Sequence, residues 1–165
     1  MGDHGYWTKH TNYEQANTIP MIMVAPGVAK PNTATDQLAE TVDIYPTLAE
    51  LAGLGKPDVP QPIDGTSMVP VLQQADQRIR DHAYHAFPKG GHLGRAIRTD
   101  RYRLVEWTNM NKPEEEKGYE LYDYLNDPLE TKNIYDKNKK VAEELKAILA
   151  THPEAKRQYR KGGNQ

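Results

Sequence analysis

The most informative absence from this sequence is cysteine, which excludes disulfide bonds, cysteine metal sites and a cysteine nucleophile. No apolar run approaches the roughly 20 residues that span a bilayer, so we expect neither an integral membrane protein nor a membrane partner. The first residues lack the basic start and apolar core of a signal peptide, which leaves the compartment open. A net charge of only -2 gives no reason to expect nucleic acid as a partner.

The composition that remains is that of a folded chain. Hydrophobic residues make up 37% and charged residues 27% of the sequence, a balance that favours a globular over a disordered protein. A length of 165 residues is sufficient for one ordinary domain, or for part of a large domain followed by a small complete one.

The first half of the chain begins with a polar loop that runs into an apolar segment. The loop holds a glycine-bracketed Asp3–His4 pair and the cluster WTKH at residues 7–10, and residues 19–25 are largely apolar. This order is typical of an active-site loop beside a buried strand in an α/β enzyme. A strand there requires neighbouring strands, so we expect a piece of a larger fold.

A helix is predicted next, over residues 37–53, from its amphipathic spacing. Pro46 lies inside this range, and proline is tolerated only in the first turn of a helix. We therefore expect the helix proper to have Asp43 as its cap, Pro46 in its first turn and Gly53 at its end.

The second half of the chain shows strand periodicity followed by one more helix. Strands are predicted over residues 83–87, 94–99, 102–107 and 119–123, and a helix over residues 139–150. Residues 99–101 are short enough to close a hairpin. The second half is thus predicted to be a small α+β unit, an antiparallel sheet covered by one helix.

Four segments of the sequence, in this order, resemble the C-terminal part of a type I sulfatase. They are residues 2–14 (GDHGYWTKHTNYE) with the following Ile19–Pro20, residues 42–53 (VDIYPTLAELAG), residues 64–67 (DGTS) and residues 120–133 (ELYDYLNDPLETKN). The resemblance is to the iduronate-2-sulfatase-like and choline-sulfatase-like members of the alkaline phosphatase superfamily. It implies an α/β fold, with residues 1–75 in the large sulfatase domain and residues 76–165 as the small C-terminal α+β subdomain.

The Asp3–His4 pair resembles two different elements of this family. One is the Asp-His pair that binds the family's metal, usually calcium; the other is a second Gly-Asp-His-Gly that precedes the Trp-x-Lys. The lysine at residue 9 follows His4 by only five residues. This spacing favours the second element, with the metal pair expected before Met1 and Asp3–His4 as a structural pair.

The resemblance makes Lys9 the sulfate-binding residue. A lysine ammonium can bind the anionic ester and stabilise the charge that develops on the bridging oxygen, although a solvated loop lysine is the alternative. His10 is a candidate for the sugar or alcohol subsite, or else packs against Trp7. Glu14 is predicted to order the loop.

A second candidate cluster lies in residues 85–92, where Lys89 and His92 could contact an acidic substrate. Exposed charges at a hairpin tip are the alternative interpretation. Arg95 and Arg98 follow in the next strand, and one of them could reach the cleft, although ion pairing with carboxylates is the simpler expectation.

Much of the family's catalytic machinery is absent from the chain. The nucleophile, a formylglycine made from Cys or Ser in Cys/Ser-x-Pro-x-Arg, has no counterpart, because the only serine, Ser67, is followed by Met-Val-Pro. The paired aspartates of the calcium site are also missing. The 165 residues are therefore expected to contain no catalytic or metal-binding residue and to be inactive alone, with calcium and formylglycine supplied by an N-terminal half.

The resemblance implies a sulfuric ester hydrolase whose partners are a sulfated small molecule or glycan and the missing half. Two alternatives stay open. One is a non-catalytic module that binds sulfated or acidic sugars or another chain. The other is a fragment of a phosphonate or phosphate monoester hydrolase of the same superfamily.

Overall fold

In a computed structural model, the chain is described over residues 3–5, 7, 10–55 and 60–154. It consists of two compact units. The sheet unit combines Met1–Thr18 with Tyr84–Gln165, and the helical unit is Ile19–Ala83. Each is described by itself below. The start of the chain thus groups with its second half, whereas the domain boundary expected at residue 75 stays a prediction.

The sheet unit contains four antiparallel strands in the order β1-β2-β3-β4. Their bounds are Ala83–Lys89 for β1, His92–Arg98 for β2, Tyr102–Asn109 for β3 and Gly118–Asp123 for β4. All four predicted strands are present, and β1 and β3 are two residues longer at their ends. The register pairs Ala96 with Val105 and Leu104 with Leu121.

Two tight turns determine the order of the first three strands. At the first, Gly90 and Gly91 have φ values of 57° and 82°, a region that glycine adopts without strain. This turn places Lys89 and His92 at a hairpin tip, which is the alternative interpretation of residues 85–92. At the second, the Thr99 amide donates to the Tyr102 carbonyl over 2.9 Å, which confirms the hairpin predicted at residues 99–101.

One helix covers one face of the sheet, as predicted. This helix, α4, spans Lys139–Leu149, and its residues Ala142, Leu145 and Leu149 pack on Ile97, Leu104 and Leu121. These six side chains are buried and form the apolar core of the sheet unit. On the opposite face lies a one-turn helix, α1, at Glu14–Asn17; the sequence analysis did not foresee this second cover.

The helical unit has two short helices. Helix α2 spans Ile44–Leu51 after a 3-10 turn at Thr41–Asp43, and α3 spans Val69–Gln73. Pro46 lies in the first turn of α2, and Gly53 follows its end with φ 67°, as predicted. The helix is shorter than residues 37–53, because the residues before Thr41 are not helical.

The prediction of a strand at residues 19–25 is wrong, because these residues form neither a strand nor a helix. Ile22 and Val24 are 89% and 86% exposed. A strand requires hydrogen-bonding neighbours, and the described part of the chain provides none beside this segment. Among the residues that the structure describes, no helix is long and apolar enough to cross a membrane.

Candidate functional site

Residues 12–14 of the opening loop lie on the face of the sheet opposite α4. Asn12 is buried there, and its Nδ2 donates to the Gly94 carbonyl over 3.5 Å. A Cβ on Gly94 would come within 2.7 Å of the Trp107 ring and would also overlap the Asn12 side chain. Glycine at this position therefore allows the loop and the tryptophan to approach the strand closely.

Glu14 attaches this loop to the sheet. Its carboxylate accepts two hydrogen bonds from Arg98 Nε, at 3.1 and 3.2 Å, and one from Arg98 Nη2 at 2.8 Å. The Tyr124 hydroxyl donates to the same carboxylate over 3.1 Å. These contacts confirm that Glu14 orders the loop and that Arg98 forms an ion pair.

The Glu14 carboxylate is held in its charged form. Burial alone would raise its pKa, but the hydrogen bonds and positive charge of Arg98 outweigh burial and lower the pKa below its usual value. Arg98 responds in the opposite direction, since burial would lower its pKa and the pairing with Glu14 raises it. Both groups are thus charged at neutral pH, and neither is poised to exchange a proton.

The predicted substrate-binding residues lie toward one end of the sheet. His10 is exposed, and its ring stacks on Phe87 of β1 with centroids 6.0 Å apart. Lys89 is the last residue of β1, and His92 is the first of β2. Both are exposed, which matches the hairpin-tip position. Lys9 lies outside the described residues, and the roles of all four residues stay predictions.

A small cavity connects the opening loop with Lys89. It has a volume of about 20 Å³ and is lined by Thr11, Asn12, Tyr13, Lys89, Trp107 and Glu120. This volume suits a single water molecule rather than a sugar ring. The cavity therefore shows that residues 11–13 and Lys89 adjoin.

The histidine of the Asp3–His4 pair packs as part of the loop. His4 has φ 53°, and its ring stacks on Tyr13 with centroids 4.0 Å apart and planes 5° apart. This contact supports the structural interpretation of the pair. Among the described residues, no group of three or more His, Asp or Glu side chains could hold a metal ion; these residues do not fit a calcium site.

In the helical unit, the two motifs that carry the resemblance form a scaffold around Asp43. This buried carboxylate accepts the amides of Glu40 and Thr66 over 2.7 and 2.8 Å, and it pairs with Arg80. A Cβ on Gly65 would overlap the Val42 carbonyl, which explains the glycine before Thr66. The motifs at residues 42–53 and 64–67 thus hold the backbone together and contain no candidate catalyst.

Several polar residues of the structure were not singled out from the sequence. The largest are the buried pair Arg103 and Glu130 in the sheet unit, both with fully buried side chains. Arg103 lies inside the strand-like run of β3, and a charged residue within such a run is a signal of a buried ion pair. Glu130 has φ 54°, and no sequence signal points to its burial.

Comparisons with known proteins agree with this geometry. The family described as N-sulphoglucosamine sulphohydrolase, C-terminal, matches residues 2–156. The chain is 28% identical to an N-acetylglucosamine-6-O-sulfatase of Bacteroides thetaiotaomicron, over 97% of this chain and 28% of that protein. It is 24% identical to the iduronate 2-sulfatase of Mus musculus, over 82% of this chain and 36% of that enzyme.

A solved structure is also similar. It holds a protein in complex with its substrate D-glucosamine-2-N,6-O-disulfate, and it matches with a TM-score of 0.79 at 27% identity. The match covers 91% of this chain and 31% of that one. The chain therefore spans about a third of the length of these relatives.

Proposed function

Because the chain belongs to the sulfatases, as the part that the N-sulphoglucosamine sulphohydrolase C-terminal family describes, we propose that it supplies a sulfate-binding lysine and part of the substrate-facing edge of a sulfate monoester hydrolase. The observation that carries this proposal is the anchored opening loop. Residues 10–14, directly after Lys9, lie on the sheet beside Phe87 and Lys89. Membership of the family itself confirms the resemblance drawn from the four sequence segments and the sulfatase fold class.

The substrate class is a sulfated sugar. One similar solved structure contains a glucosamine disulfate as its substrate. Another similar protein is named an N-acetylglucosamine-6-O-sulfatase. In this chain, Lys9 would bind the sulfate, because its ammonium group complements the charge that develops on the ester oxygen. His10, Lys89 and His92 would contact the sugar or its acidic groups from the exposed end of the hairpin.

The reaction requires groups that this chain does not supply. Formylglycine would act as the nucleophile and calcium would supply positive charge for the sulfate group, both held by the remaining two thirds of the fold. The described residues neither form a metal site nor include a serine in the required motif. We therefore propose that the 165 residues contribute binding and orientation only, and that they are inactive alone.

The exposed apolar side chains of the helical unit support the idea of a missing partner. Tyr45 and Leu54 line one open groove of about 320 Å³. Both side chains are more than half exposed, as is that of Leu48. Apolar side chains clustered in this way are usually covered in a complete domain. The remaining part of the sulfatase fold would cover them.

An activity assay tests the proposal. The purified chain is offered an aryl sulfate and a sulfated glucosamine, with calcium, first alone and then joined to the N-terminal part of the enzyme. We expect no turnover from the chain alone and turnover from the complete enzyme. Robust hydrolysis by the 165 residues alone would contradict the division of roles. Binding of the sulfated sugar without turnover by the complete enzyme would favour a non-catalytic module.

The variant Lys9→Ala tests the assignment of the lysine. It is expected to lower kcat/KM of the complete enzyme by about 100- to 1,000-fold, the range for removing one group that stabilises a developing charge. Lys112→Ala is the matched control, because Lys112 is exposed and pairs with the nearby Glu115 over 2.9 Å. Equal activity of the two variants would exclude Lys9 from sulfate binding.

A further inference from the structure

The opening loop is attached to the sheet through Glu14, the first residue of α1, by both its side chain and its backbone. The Glu14 carboxylate binds Arg98 of β2, and the Glu14 amide donates to Glu130 Oε2 over 2.8 Å. The side chain and the backbone of one residue are therefore held by two partners that lie 32 positions apart in the sequence, at residues 98 and 130. An anchor of this kind restricts rotation as well as translation of the loop.

The second partner, Glu130, is itself locked. Its side chain is fully buried, it pairs with Arg103 of β3, and it accepts the Tyr124 hydroxyl over 2.7 Å. The same hydroxyl lies 3.1 Å from Glu14 Oε2, so its single proton is shared between the two carboxylates. Arg98 lies over the Tyr124 ring at 4.1 Å, which fixes the guanidinium that holds Glu14.

The charges of this cluster are balanced, with two carboxylates and two guanidiniums. Breaking one buried pair leaves an uncompensated charge, whereas an exposed pair contributes little. Such a cluster is therefore more rigid than the loop alone. Glu14 is five residues from Lys9 and four from His10, a distance of at most about 18 Å along an extended chain.

We propose that Glu14, Arg98, Glu130 and Arg103 form a positioning cluster that holds the loop of Lys9 and His10 in register with the sheet. This inference rests on the proposed function of Lys9. None of the four residues needs to touch substrate. Their role is to keep the lysine in place, and a displacement of about 1 Å can cost on the order of 100-fold in rate.

Hydrogen exchange of the 165-residue chain tests the anchoring without any activity. In Arg98→Ala we expect the amides of residues 12–17 to exchange about tenfold faster, since a charged hydrogen bond is lost. Arg98→Lys keeps the charge but not the forked geometry, and it should recover part of this loss. The amides of β3 should keep their protection.

Arg101→Ala is the matched control. Its ion pair with Asp123, at 2.8 Å, is formed by a half-exposed arginine in the turn between β2 and β3. Residues 12–17 should exchange in this variant as in the parent chain. The inference is overturned if Arg98→Ala leaves residues 12–17 unchanged, or if it accelerates exchange equally throughout the sheet, which is what a purely structural role predicts.

Kinetics of the complete enzyme separate this inference from the proposed function. Arg98→Ala should lower kcat/KM for an aryl sulfate by about 100-fold. If Lys9→Ala has no effect while Arg98→Ala still frees residues 12–17, the proposed function fails and the anchoring stands. If Lys9→Ala lowers kcat/KM while Arg98→Ala frees the loop but leaves kcat/KM unchanged, the positioning inference fails and the proposed function stands.

Discussion

The two units of this chain bury different kinds of side chain. The sheet unit has an apolar core of six buried residues and, on its other face, the charged cluster around Glu14 and Glu130. The helical unit is organised around a single carboxylate, Asp43, and leaves Tyr45 and Leu48 each 56% exposed. The sheet unit therefore contains the interactions that a small domain needs, whereas the helical unit holds its backbone in shape and presents apolar side chains outward.

This difference indicates different origins of stability. Burial of apolar area stabilises by roughly 25 cal/mol per Å², so the core of the sheet unit can contribute to folding by itself. Backbone hydrogen bonds to a buried carboxylate specify a shape but contribute modestly in net terms. The helical unit should therefore depend on what covers its exposed groove. The following substitutions, from the largest expected effect to the smallest, test this comparison.

Arg103→Met should have the largest effect, because it leaves Glu130 buried without its cation. We expect the free energy of unfolding to fall by about 3–5 kcal/mol. The same substitution in the helical unit, Arg78→Met, removes an exposed arginine that pairs with Asp81 over 3.3 Å and should cost less than about 1 kcal/mol. Urea unfolding of both variants provides the comparison, and similar losses would show that burial of the pair is unimportant.

A pair of leucine-to-alanine variants compares the apolar side chains of the two units. Leu104 is fully buried in the core of the sheet unit, and its truncation should cost about 2–5 kcal/mol. Leu48 of the helical unit is mostly exposed, and Leu48→Ala should stay within about 0.5 kcal/mol. Thermal and urea unfolding measure both. A large loss for Leu48→Ala in the chain alone would mean that this side chain is already covered.

A glycine pair tests the scaffold of the helical unit. Gly65→Ala would force a Cβ onto the Val42 carbonyl and should cost about 1–3 kcal/mol, the range for overpacking a tight site. Gly55→Ala is the control, since a Cβ there meets no atom within 4 Å. Circular dichroism with urea titration compares the two variants. An equal response of both would exclude a tight contact at Gly65.

We expect the stability of the sheet unit to decrease at acidic pH because of His85. Burial, with Arg103 nearby, lowers the pKa of His85 from 6.5 to about 4. Between these values the unfolded chain binds the proton and the folded chain does not, so stability is present above pH 6.5 and is lost as the pH falls. We expect a loss of about 2 kcal/mol between pH 7 and pH 5.

His85→Leu should remove this slope, measured as the urea midpoint at several pH values. His92→Gln is the control, since His92 is exposed. An unchanged slope in His85→Leu would assign the acid response to another group. Glu14 and Glu106, whose pKa values are lowered by their arginine partners, lose their contribution only at still lower pH.

Most of the sheet unit could be predicted from the sequence, because each strand and the final helix is indicated by the spacing of residues close together in the chain. The strand-like run at residues 102–107 and the spacing of Leu145 and Leu149 in α4 are visible without knowing what these residues contact. The strand prediction at residues 19–25 failed, because an apolar segment forms a strand only where another strand can pair with it. The packing of α1 on the second face of the sheet was not predicted either, because it depends on a contact between Glu14 and Glu130, which are 116 positions apart in the sequence.

The sequence by itself determined the family, the four strands and the final helix, because each depends on residue identity and short spacing. It also assigned to Glu14 the task of ordering the loop. Only the tertiary structure decided that Arg98, Arg103 and Glu130 perform that task with it. Ion pairs form between residues distant in the chain, and their partners are selected by the packing of the folded sheet and not by any local pattern.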